Sequence, residues 1–376
     1  MSAATDIATA FKSRARAQRA SRIQASLLRG MGGDLEMGGP TVAILREVID
    51  RSGRNGRILL IDDLPTKLAA AAHFIALEGG TELSDLYPSA GGGGSLHEVW
   101  PVARETMAAD PDRFIQRMLR PSRRSDPGRA AMLLAALAHV GASNPTPVRL
   151  FDVGSGAGLV LPVESYRQSV YGEVVGDPDG PVDLGHAWAS PPEVAFDAVP
   201  PIVDRQAADP SPLHPANPLH VREMISWAGP DAPDEIGRIT QACEFVAHLG
   251  LTIDTAPSSI WLPRGISWPR ADAQSVVWHS DVVMEMSVPE RTEFATELLA
   301  AAGRATETAP LTVIAFEPVG TDFLLYQDPV GAALRRGEIG IEPNRFELRV
   351  SQWPQATTRV LAYADHNGYN AYWNVG

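Results

Sequence analysis

The chain of 376 residues contains a single cysteine, Cys243. An internal disulfide framework is thereby excluded, and a reducing compartment is expected. Lysine is nearly missing: Lys12 and Lys67 are the only two among 32 basic residues, the rest being arginine. A Schiff-base or phosphate-cradling lysine would have to be one of these, and no G-K-[ST] follows a glycine run, so a P-loop is absent. Positive charge is also short. Forty-five acidic residues outweigh the basic ones, for a net charge of −13, which opposes a role in coating nucleic acid. The basic stretch Arg14 to Arg22, interleaved with small residues, reads as a solvated helix face. No apolar run reaches the ~18 residues needed to span a bilayer, and no apolar segment of a secretory leader is visible near the N-terminus. No membrane partner and a cytoplasmic location are expected. Metal chemistry lacks its spacing too. H-E-x-x-H does not occur, and His214 and His220 are separated by prolines, so no metal site is predicted.

What is present divides near Pro147. Residues 1–146 read as a helical cap region, with helical apolar spacing over Phe11 to Arg29, Val42 to Ile49 and Leu64 to Leu77, the last containing His73. Asp110-Pro111 and Asp126-Pro127 pair an N-cap acceptor with a proline that loses no hydrogen bond at a first helical position. The second of these helices is expected to end at Gly141. The run Gly91 to Gly94, closed by Ser95, reads as a flexible loop rather than a phosphate cradle.

Residues 147–376 read as an α/β domain. Strands are predicted at Val148–Val153, Ile202–Ala208, Leu251–Asp254, Ser275–Val283, Leu311–Phe316, Arg345–Gln352 and Arg359–Ala364. Helices at Pro218–Trp227, Asp234–Leu249 and Pro289–Ala302 separate several of them. Such alternation implies a parallel sheet covered on both faces. The last two strands, split by a short turn at Trp353-Pro354, should form an antiparallel hairpin. A Gly/Pro/Asp-rich segment, 169–201, reads as an insertion near the strand tips, where open α/β sheets bind ligands.

The first strand runs into Asp152-Val-Gly154-Ser155-Gly156-Ala-Gly158. Glycines at alternate positions let backbone pass close to a ligand, and a helix is expected from about Gly158 with its N-terminus aimed there. A G-x-G-x-x-G/A fingerprint would need a small residue at 159, where Leu159 stands. Nor is Ser155 a hydrolase elbow, because Val153 replaces the first glycine of G-x-S-x-G. The likeness of this turn to motif I of class I methyltransferases implies carboxylates at strand ends, Asp209 with Asp177 as the weaker alternative, and Asp254, as acceptors for a ribose and for an adenine amino group. Glu164 and Tyr166 are candidates to line the same pocket. His279, beside Ser280 after the fourth strand, and His366 after the seventh are candidate catalytic groups, since imidazole titrates near neutrality. The C-terminal cluster Trp353, Tyr363, Tyr369, Tyr372 and Trp373 reads as hairpin packing.

The D-x-G-x-G-x-G turn resembles motif I of class I methyltransferases. The whole chain resembles a largely actinobacterial family known as domain of unknown function 2332. That likeness is carried by Leu83–Pro88, Leu150–Leu161 with Glu164-Ser165-Tyr166, and Arg205 to Asp209-Pro210. The helix around Trp227, Val276-Val-Trp-His-Ser280 and Leu361-Ala-Tyr-Ala-Asp-His-Asn-Gly368 carry the rest. The resemblance implies a Rossmann-like, seven-stranded methyltransferase sheet. It also implies S-adenosylmethionine held by Asp152, Gly154, Ser155, Gly156, Gly158, Glu164, Tyr166, Asp209 and Asp254. The chain departs from the family pattern at Ala208 and at Asp254-Thr255, where glycine and a Gly-Asp pair are usual. The function expected from all this is methyl transfer to a small molecule. Cyclisation or elimination within the same cofactor, or a noncatalytic ligand-binding scaffold, are the alternatives.

Overall fold

Apolar periodicity of 3.6 dominates the first third of the chain, and the computed structural model turns it into helices. The structure describes residues 3–18, 20–54, 61–122, 124–321 and 345–374. The chain divides into two compact units: residues 1–123 with 217–240, and residues 124–216 with 241–376. This differs from the boundary expected at 146/147 in two respects. The helix after Asp126 belongs with the sheet, and the segment from Asn217 to Thr240 rejoins the helical unit.

The helical unit contains α1 (Ala3–Ala17), α2 (Arg22–Met37), α3 (Pro40–Arg54), α4 (Leu64–Glu78), α5 (Glu82–Leu86), α6 (Leu96–Ala109) and α7 (Pro111–Met118). Phe11, Leu28, Met31, Ile44, Ile75 and Phe114 lie in its buried core. The basic stretch spans the break between α1 and α2, where Ser21 caps α2 by accepting from Gln24 N; Arg19 lies outside the described residues. Asp110 caps α7 as expected, accepting from Arg113 N at 3.2 Å. Ser95 and Glu98 form a capping box on α6. The glycine run before it folds back, Gly92 N donating to Tyr87 O and Gly93 N to Asp85 O, both at 3.0 Å. Those amides are committed to a turn, so no phosphate cradle forms there.

In the sheet unit, α8 (Arg129–Ser143) runs past the expected stop at Gly141. Gly141 is needed for a different reason: a Cβ there would overlap Ala198 O and crowd Pro200. Strand β1 (Val148–Val153) is buried at all six positions, the signature of a central strand covered on both faces. The first crossover then departs from expectation. No α-helix follows the glycine turn; residues 154–165 form turns and a 3-10 segment, leading to β2 (Tyr166–Val170), β3 (Glu173–Gly176) and β4 (Val182–Asp183) in a separate sheet ordered β3-β2-β4. Pro162 supplies the reason. It has no N–H to give the Gly158 carbonyl, and its ring disfavours helical backbone at Leu161.

The remaining elements are β5 (Trp188–Ser190), β6 (Ile202–Asp209), α9 (Pro218–Ile225), α10 (Pro233–Leu249), β7 (Asp254–Thr255), α11 (Ser258–Ile266), β8 (Gln274–Ser280), α12 (Val288–Ala302), β9 (Leu311–Pro318), β10 (Phe346–Trp353), β11 (Thr357–Ala364) and β12 (Ala371–Trp373). Of these, α9 and the first turns of α10 count with the helical unit. The main sheet has nine strands, ordered β5-β12-β11-β10-β9-β8-β1-β6-β7, rather than seven. Strands β7, β6, β1, β8 and β9 are parallel, and β10 and β11 form the expected antiparallel hairpin. The two additional strands, β12 and β5, extend the sheet beyond that hairpin. Winding runs outward from β1 first through β6 and β7, then through β8 and β9. The reversal lies between β1 and β8, a topological switch point, and its crevice opens at their carboxyl ends.

Candidate functional site

The carboxyl ends of β1, β6, β8 and β9 carry four buried ionisable side chains, Asp152, Asp209, His279 and Glu317. Pairing of Val153 with His279, and of His279 with Ala315, puts His279 and Glu317 on one face of the sheet. Asp152 pairs with Trp278, so Asp152 and Ser280 lie on the other face.

Asp152 is 4% exposed. Loss of water pushes its carboxyl up to about 7, with the Asp209 charge adding to the rise; the Ser155 hydroxyl and the Arg129 guanidinium oppose it. Ser155 Oγ donates to Asp152 Oδ2 at 2.6 Å, and Ser155 itself is partly open to solvent. The arrangement is a buried carboxyl, held well above its ordinary range, behind the hydroxyl of a half-buried serine. Asp209, also buried, accepts from Gly156 N at 3.0 Å and from Ser211 N at 2.7 Å, which ties the end of β6 to the glycine turn.

Three glycines of the turn adopt left-handed backbone: Gly154 at φ +69°, Gly156 at +60° and Gly158 at +72°. Close packing adds to the demand for glycine. A Cβ on Gly154 would overlap the Val282 side chain, and one on Gly156 would overlap Ser125 Oγ. The amides of the turn are engaged. Gly154 N and Ser155 N both donate to Ala208 O, at 2.9 and 3.1 Å, and Gly158 N donates to Ser155 O at 2.9 Å.

Next to this turn, two enclosed guanidiniums converge on one carboxylate. Arg124 Nε lies 2.9 Å and Arg129 Nη2 3.2 Å from Asp281 Oδ2. Arg129 also donates from Nη1 to Ser280 Oγ at 3.1 Å and from Nε to the His366 carbonyl at 2.9 Å. Asp281 holds a left-handed φ of +56°, a strained setting for a residue with a Cβ.

The residues predicted from sequence are only partly brought together. Asp152, Ser155, the glycines and Asp209 form one cluster. His366 joins it through its backbone carbonyl, on the same arginine that holds Ser280. His279 is 0% exposed. Its Nδ1 lies 2.8 Å from Glu317 Oε1, which also accepts from Val282 N at 3.2 Å. The pair therefore positions the loop that lays Val282 over Gly154. Glu164 pairs with Arg205. Tyr166 lies on β2 rather than on a helix, is buried, and donates from its hydroxyl to Leu159 O at 2.6 Å. Asp254 accepts from Trp261 Nε1 at 2.7 Å. Asp177, the weaker ribose candidate, lies in a turn, its amide donating to Tyr166 O. A separate cleft of about 720 Å³ is lined by Tyr171, Val174, Phe196 and Ile202 among others, and Glu164 is the only predicted site residue on its wall.

Sequence reasoning missed Arg124, Arg129, Asp281 and Glu317. Glu317 had a usable signal, a lone carboxylate inside the apolar run Leu311 to Val319. The two arginines had none, being brought to Asp281 from about 150 residues away along the chain.

These positions do not fit S-adenosylmethionine as the loop is folded. Both oxygens of Asp209, expected to accept from a ribose, already accept backbone hydrogen bonds, from Gly156 N and Ser211 N. Val282 lies against Gly154 and Ser125 against Gly156. Among the described residues no group of three or more His, Cys, Asp or Glu side chains is placed to hold a metal ion, and no helix is long and apolar enough to cross a membrane.

A family model described as an uncharacterized protein conserved in bacteria, DUF2332, matches residues 8–373. The chain belongs to that family. Its match runs through both compact units, so the helical unit and the sheet unit are parts of one family architecture. No curated protein and no solved structure matches the chain.

Proposed function

We propose that the sheet unit is an enzyme that moves a proton to or from a small molecule at the switch point, with Asp152 as the acid–base group and Ser155 as its relay. One observation carries this reading: a fully enclosed carboxyl, raised to about 7, hydrogen-bonded at 2.6 Å to the hydroxyl of a residue that is itself only half-buried. A general acid or base works best when its pKa lies near the working pH. At neutrality Asp152 populates both forms. Ionised, it takes the Ser155 proton as Ser155 accepts one from the substrate. Protonated, it returns a proton along the same hydrogen bond. The Arg124–Asp281–Arg129 group lies beside this path and fixes the backbone around Ser280.

The test is isotope exchange. Wild type and Asp152→Asn are incubated with a bacterial metabolite extract in D2O and compared by mass spectrometry. A compound deuterated or consumed by the wild type alone is the expected result. Identical profiles for the two proteins reject the reading.

A second reading, transfer of a methyl group from S-adenosylmethionine to a small molecule, rests on the D-x-G-x-G-x-G turn and on the parallel strand order. It requires Val282 and Ser125 to withdraw and the Asp209–Gly156 bond to open. Calorimetric titration with S-adenosylmethionine separates the two readings. Binding that Gly156→Arg abolishes supports transfer; absence of heat in the wild type rejects it. The noncatalytic alternative would give unchanged metabolites in the isotope-exchange assay.

A further inference from the structure

The helical unit holds a second cluster that the acid–base reading does not use. His73, in the middle of α4, is 1% exposed. Its Nδ1 lies 3.0 Å from Ala228 O and its Nε2 2.7 Å from Ser89 Oγ. A carbonyl oxygen only accepts, so Nδ1 carries the proton. Burial pulls the imidazole down to about 4, so the ring is neutral at physiological pH and Nε2 is bare. Ser89 must therefore be the donor, and its proton already points at a base. With the ring neutral, the tautomer follows from the chemistry of the partners; burial makes it a weaker base than a free imidazole, and the Asp231 charge acts against that loss.

We infer that Ser89 is a nucleophile activated by His73, with the Ala228 carbonyl in the orienting place that a carboxylate fills in a Ser-His-Asp triad, and that it acts on small uncharged carboxylic esters. Nucleophile, base and orienter stand within hydrogen-bond reach in the required order. Ser89 is half-buried and Pro88 before it exposed. The serine is also fixed by its own amide, which donates to Pro230 O at 3.0 Å. Asp231 supplies the charge that the carbonyl lacks. It holds the start of α2 through Ser21 and the Arg22 and Ile23 amides, and its field favours the protonated form of His73. The same negative field disfavours anionic substrates. Tyr87, two residues before the serine, has a buried hydroxyl with no hydrogen-bond partner among the described residues. Burial raises that phenol above its usual range, so it stays a donor, and its ring lies 5.6 Å from that of His73.

The step balances without a cofactor. Ser89 Oγ bonds to the acyl carbon as its proton passes to His73 Nε2. The ester C–O bond breaks, and the leaving alkoxide takes that proton, giving an alcohol and acyl-Ser89. Water then adds to the acyl carbon, again through Nε2, and a carboxylic acid leaves as Ser89 recovers its proton.

The test uses the full-length protein and a fluorophosphonate, which modifies activated serines, with the adduct located by peptide mass spectrometry. An adduct on Ser89 is expected, slowed on the order of a hundredfold in His73→Gln. Ser89→Cys provides a parallel readout: its thiol should react with iodoacetamide faster than the same thiol in the Ser89→Cys, His73→Gln double variant. Folded wild type that carries no adduct on Ser89, or rates that ignore His73 in both assays, overturns the inference.

Discussion

Asp152 and His73 are both fully enclosed, and burial disfavours the charged form of each, so their pKa values move in opposite directions. Asp152 rises from 3.8 to about 7 and His73 falls from 6.5 to about 4. For Asp152 the folded state holds its proton where the unfolded chain has lost it. Its contribution to stability therefore declines as pH rises from about 4 to about 7, by at most roughly 4 kcal/mol. For His73 the unfolded chain binds the extra proton. Its contribution declines as pH falls from about 6.5 to about 4, by about 3 kcal/mol at most. The two slopes oppose one another in the wild type, so variants are needed to separate them. Asp152→Asn is expected to be more stable than wild type at pH 8, with the gain shrinking toward pH 4, as read from urea midpoints. Asp281 makes a different residue-scale prediction. Removing its carboxylate in Asp281→Ala leaves two enclosed guanidiniums without their shared counter-charge, a loss of about 3–5 kcal/mol. Asp281→Asn should lose less, because asparagine tolerates the left-handed backbone. Denaturation curves of the two variants check the order.

At the scale of elements, the glycine turn is where sequence pattern and fold diverge most usefully. Alternate glycines after a buried strand announced positive φ and close approach, and both are found. What they approach is protein: Val282 over Gly154 and Ser125 over Gly156. The expected helix is absent because Pro162 stands where its first turn would close. Gly154→Ala should destabilise the protein by about 1–3 kcal/mol from backbone strain and overlap together. Trimming the neighbour in a Gly154→Ala, Val282→Ala double variant should recover the overlap share and leave the strain. Simple additivity in that double-mutant cycle would contradict the packing described. Strands β1, β8 and β9 were legible because central parallel strands are continuous apolar runs. The hairpin β10–β11 was legible from its short turn. Strands β5 and β12 were not, since three residues carry no period, and the pairing of β5 with β12 joins segments some 180 residues apart.

The whole molecule carries a net charge of −13, and this bears on its partners more than on its fold. No retardation of duplex DNA or RNA is expected in gel-shift assays at ~0.1 M salt; a salt-sensitive complex would contradict that expectation. The division into units was only half visible in the sequence. The change from helical to alternating pattern near residue 147 is real. Yet α8 before it packs with the sheet, and the stretch 217–240 returns to the helices and brings Ala228 to His73. Composition does not encode such returns; contacts over some 150 residues do. The same holds for the convergence of Arg124 and Arg129 on Asp281. Proton transfer at the switch point requires Asp152 to change its protonation state near neutrality. Carbon-13 NMR of aspartate-labelled protein, titrated from pH 4 to 9 with Asp152→Asn to assign the signal, measures it directly. A carboxyl resonance with its midpoint near 7 is predicted, and a midpoint below 5 would contradict the account.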